Sequence, residues 1–126
     1  MKMMDLIYGD DPAEVLVDFI RFAVGELGLP RIPSIKLLRK TVSNMESNSF
    51  AAYSPVSKQI VLYTKHRHIM DVLRSLAHEM VHFRQDLEGR LDPDSGKTGS
   101  EHENEANAVA GQIMRKYGKM HPDLFK

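Results

Sequence analysis

The chain has no cysteine and no tryptophan among its 126 residues. Without thiols, neither a disulfide framework nor a thiolate metal site is available, so any metal must be held by histidine and carboxylate. Charge of one sign is also missing, since 17 Lys and Arg face 17 Asp and Glu. No overall field draws the chain to nucleic acid or to an anionic membrane surface. The short basic stretches at residues 36–40 and 65–68 read as solvated surface. No apolar run approaches the roughly 20 residues that a bilayer span needs. Asp10 and Asp11 interrupt the start before an apolar signal core can form. These absences lead to the expectation of a soluble, intracellular protein. A length of 126 residues with 42% apolar content fits one domain, residues 1–126, around one core.

What is present is periodicity. Asp11-Pro12-Ala13-Glu14 combines an N-cap acid, proline at the first helical position and a glutamate three residues after the cap. A helix is expected to follow, with Val15, Leu16, Phe19, Ile20, Ala23, Val24 and Leu27 inward and a stop near Gly28 and Pro30. Residues 35–39, 49–53 and 59–63 read as strands, the last two joined as a hairpin through the turn at 54–58. A second helix is expected from about residue 67 to 87, closed by Gly89. Residues 89–100 form a loop rich in Gly, Asp, Ser and Pro, and a third helix runs from about 101 to 117 before a polar tail. The expected class is α+β: a small, mostly antiparallel three-strand sheet packed on three helices.

The second helix carries His78-Glu79-Met80-Val81-His82. At about 100° per residue, positions 78 and 82 lie roughly 40° apart and one turn along the axis, so both imidazoles can converge on one ion. Glu79 sits beside them, within reach of a water on that ion. A catalytic zinc takes three protein ligands and leaves a position open. A third ligand six residues after His82 fails, because that position is Glu88 and the glycine needed between them is Gln85. Residues 101–107 offer Glu101, Glu103 and Glu105. With Glu103 as reference, Ala106, Asn107, Ala110, Ile113, Met114 and Tyr117 fall within about 80° on the wheel. A charged Glu103 on that inward stripe needs compensation, which a zinc ion supplies. Glu101 and Glu105 point to the opposite, solvated side. Asn107 is either a partner for the N–H of a ligating imidazole, most plausibly His78, or an exposed residue at the interface edge.

The pattern His78-Glu79-x-x-His82 with Glu103-x-x-Ala106-Asn107 resembles the gluzincin metallopeptidases, most of all the IrrE/ImmA-like branch and the minimal single-domain gluzincins. The resemblance implies a minimal zincin fold and one Zn²⁺ ion held by His78, His82 and Glu103, with Asn107 orienting a histidine. It also implies an edge strand near Phe50, Ala51, Ala52 and Tyr53 that binds an extended peptide by β-augmentation. The expected activity is hydrolysis of a peptide or protein by water that Glu79 deprotonates. The alternative is a non-catalytic zinc-binding or interaction module that keeps the scaffold. His102, Tyr117, Tyr53 and Arg84 are the available donors for a developing oxyanion. His66 and His68 read as surface or capping groups, and the stretches at 92–96 and 96–98 as an ordinary turn rather than a calcium or phosphate loop.

Overall fold

The computed structural model describes residues 12–38, 50–65, 67–92 and 99–125. The Asp11 cap, His66 and the loop at 93–98 lie outside the described residues. Helix α1 spans Pro12–Leu27. Three strands follow, β1 Ser34–Leu38, β2 Ala51–Ser54 and β3 Gln59–Tyr63. Helix α2 spans Ile69–Leu87, and α3 spans Glu101–Met120, about one turn longer than its sequence suggests. A short 3₁₀ turn, Pro122–Phe125, takes the place of the expected polar tail.

The sheet is mixed, which corrects the expectation of a mostly antiparallel one. Its order is β1-β3-β2, with β1 parallel and β2 antiparallel to β3. The hairpin behaves as expected, turning through Lys58 at a φ of 57°. It places β3 between the other two strands, and two reversals of direction leave β3 running the same way as β1. The central position suits a strand whose Ile60 and Leu62 are fully buried.

One core joins the layers. Phe19 and Ala23 of α1, Leu73, Leu76, Met80 and Phe83 of α2, and Ala106, Ile113, Met114 and Tyr117 of α3 are all essentially inaccessible. Tyr117 meets Phe19 edge-on at 4.9 Å and donates its hydroxyl to Asp18 at 2.8 Å, fixing α3 against α1. His121, beyond α3, stacks on Tyr117 at 4.3 Å and lies 3.4 Å from Asp18.

The hairpin is strapped along α2 at both ends. Near the start of α2, Arg67 donates to the Tyr63 carbonyl (2.9 Å), the Asp71 carbonyl (3.0 Å) and Ser75 (2.7 Å), and it covers the Phe50 ring at 4.5 Å. Near its end, the Tyr53 hydroxyl and Lys58 Nζ both donate to Asp86, at 2.5 and 2.6 Å. Strand β2 therefore lies beside the turns of α2 that carry the two histidines. Among the described residues, no helix is long and apolar enough to cross a membrane.

Candidate metal centre

Helix α2 begins with His68 as its cap, Nδ1 accepting the Met70 N–H at 3.0 Å. Of the two roles expected from sequence, surface residue or capping group, His68 takes the second. Two and a half turns on, His78 and His82 stand edge to face with ring centres 4.9 Å apart. Glu103 enters from the first turn of α3. Its backbone N–H is capped by Ser100 Oγ at 3.1 Å, and a negative charge here is favoured by the helix dipole. One carboxylate oxygen, Oε1, lies 2.9 Å from His78 Nε2 and 2.8 Å from His82 Nε2.

His78, His82 and Glu103 are the one group of potential metal ligands among the described residues, their ligand atoms all within 4.8 Å of one another. Two imidazole nitrogens and a carboxylate oxygen, partly buried and without thiolate, match the donor set of a catalytic zinc site. The arrangement fits a divalent ion. The identity of the metal is a separate question, because the same donors accept several first-row ions.

The centre opens on a cavity of about 740 Å³ whose walls include residues 50–53 of the β2 segment, Arg74, Ser75, Glu79, Asn104 and Asn107. Burial pushes the Glu79 carboxyl above the usual range, and the neighbouring charge of Glu103 adds to this. The two imidazoles and a hydrogen bond from the Tyr53 backbone N–H pull the other way.

Among the described residues β2 is an edge strand, and its register sets which backbone groups face away from β3. The Tyr63 N–H donates to the Phe50 carbonyl at 3.0 Å, which makes 50–63 a hydrogen-bonded pair and 52–61 the next. The backbone groups of Ala51 and Tyr53 therefore point away from β3. Apart from the Tyr53 N–H held by Glu79, they line the cavity rim.

The remaining expected site residues are placed differently from one another. Asn107 lines the cavity but is exposed, and no hydrogen bond ties it to His78. The reason is angular. The buried stripe centres on Ala106, Ala110 and Tyr117, roughly 75° round the helix from Asn107 but only about 35° from Glu103. Tyr117 is 1% exposed among core aromatics and absent from the cavity wall. Tyr53 borders the cavity with its hydroxyl committed to Asp86. His102 and Arg84 are not among the lining residues.

Glu105 is not the freely solvated carboxylate that its wheel position suggests. It accepts from Gln85 at 2.7 Å and from both outer nitrogens of Arg90 at 3.1 and 3.0 Å. Arg90 reaches it because Gly89, at a φ of 72°, ends α2 with the Arg90 N–H on the Gln85 carbonyl. Gln85, fully buried, also holds His82 Nδ1 at 2.8 Å. The sequence contained a signal for it: a polar residue three positions past His82, on the same side of the helix.

No protein-family model, curated protein or solved structure matches the chain, so the gluzincin resemblance rests on the motif residues alone.

Proposed function

We propose that the protein is a zinc-dependent metallopeptidase that cleaves an extended segment of a peptide or protein. The convergence of His78, His82 and Glu103 on one point, with Glu79 in the same cavity wall, is the observation that carries this reading. A purely structural metal site has no use for a buried carboxylate beside an open cavity.

A bound divalent ion supplies Lewis acidity towards a carbonyl and brings the pKa of water near neutrality. The chain's own groups do the rest. The backbone groups of Ala51 and the carbonyl of Tyr53 face outward to an extended substrate, which would fix the scissile bond along α2 without demanding particular side chains. Glu79 accepts the proton of the attacking water and passes it to the departing amine. Arg74, one turn before His78 and within the cavity wall, is a cation for an acidic group of the substrate. It was not among the donors expected from sequence.

The test is cleavage of unfolded protein, read by mass spectrometry, with zinc-loaded wild type beside Glu79→Gln. Wild type should cut and stop when chelated, whereas Glu79→Gln should keep its zinc and lose at least a hundredfold in rate, on the order of a general base's contribution. Zinc retained by both proteins with no cleavage by either supports the non-catalytic module instead.

A further inference from the structure

Gln85 has an amide orientation that its neighbours dictate. Its Nε2 faces two acceptors, the His102 carbonyl at 3.0 Å and Glu105 Oε1 at 2.7 Å. Its Oε1 is therefore the atom 2.8 Å from His82 Nδ1. An amide oxygen only accepts, so Nδ1 carries the hydrogen. The lone pair of a neutral His82 then belongs to Nε2, the atom that faces Glu103 at 2.8 Å. Glu105 is itself gripped by both outer nitrogens of Arg90. The series Arg90, Glu105, Gln85, His82 thus runs from the surface to the centre, and only its last member offers a ligand atom.

We propose that Gln85 is a positioning residue. Clamped by Glu105 and the His102 carbonyl, it holds His82 as the Nδ1–H tautomer and so keeps Nε2 open for a divalent cation. The proposal rests on the metal reading of His78, His82 and Glu103. The tautomer of a histidine is set by the bond its other nitrogen makes. Outer partners of this kind change metal affinity by about 10- to 100-fold when removed.

The experiment uses the full chain. Long-range proton–nitrogen NMR reads the tautomer directly, in metal-free, ¹⁵N-labelled protein carrying Glu103→Ala so that no carboxylate competes for a hydrogen on His82 Nε2, at a pH about two units above the ordinary histidine value of ~6.5. Zinc affinity is read by competition with a chelator in the chain that keeps Glu103. With Gln85 intact, His82 should show Nδ1–H. Gln85→Met should shift towards Nε2–H and bind zinc about 10- to 100-fold more weakly.

Should Gln85→Met fail to fold, Glu105→Ala tests the same clamp from a half-exposed position, and unchanged affinity there overturns the proposal. An Nε2–H tautomer at His82 with Gln85 intact and Glu103 replaced overturns it, whatever the zinc affinity. Nδ1–H in that protein, with no zinc uptake by wild type, removes the metal reading and the affinity claim together, which separates the two failures.

Discussion

Asp86 joins the hairpin to the metal helix, and its ionisation is part of that joint. Burial opposes its charge, but hydrogen bonds from Lys58 and Tyr53 outweigh burial and hold the carboxyl below the usual carboxylate range. The same bond, after burial, pushes the Tyr53 phenol upward, so Tyr53 remains a donor. The sign follows from linkage. A carboxyl whose folded pKa is depressed adds stability above its ordinary value of about 3.9, and that stability is lost as the pH falls through the depressed one. Denaturant unfolding followed from pH 5 towards pH 2 should show this loss, and Asp86→Asn should flatten it. Tyr53→Phe should cost about 1.5–3 kcal/mol at neutral pH, the usual worth of a hydrogen bond to a charged group. An unchanged midpoint in urea would show that Tyr53 is not part of the strap.

Helices α2 and α3 pack against each other, and their spacing sets the distance between the ligands. Ala106 is fully buried and Ala110 nearly so, next along the stripe from Glu103. A larger side chain there must displace α3 from the core it packs into. Ala106→Leu should cost about 1–3 kcal/mol by overpacking, and it should weaken zinc binding although residue 106 offers no ligand atom. Melting and chelator competition on one sample would separate the two effects. Ser100→Ala removes the cap on the Glu103 N–H and should cost about 1 kcal/mol, read as a lower urea midpoint. A smaller loss of metal affinity should accompany it.

On the scale of the whole molecule, the centre takes its ligands from two helices, α2 and α3, that only folding holds side by side, so a bound ion stabilises the folded chain more than the unfolded one. At a free concentration 100 times the Kd, the gain is about 2.7 kcal/mol. For a chain of this size that corresponds to a rise in Tm on the order of 10 °C. Chelation should reverse the rise in wild type and leave Glu103→Ala unchanged, as scanning calorimetry would show. Equal responses in the two proteins would place the ion elsewhere.

The sequence by itself determined what depends on neighbours along the chain: the three helices, the hairpin, the pairing of His78 with His82 one turn apart, and Glu103 on the inward stripe. Each follows from a local period or a short-range turn signal, and each reappears in the structure within a few residues. Tertiary structure decided the rest. The parallel pairing of β1 with β3 depends on which edge of the hairpin the first strand meets, and no local period encodes that choice. Asn107 fell to the rim because the centre of the helix contact is fixed by which residues of α2 it packs against. Glu105 acquired its partners only when folding set α3 against the end of α2, where Gly89 turns Arg90 towards it. A ligand atom and its neighbour one turn on can be read from spacing, but the contacts that orient the Gln85 amide behind His82 come from residues brought together only by folding.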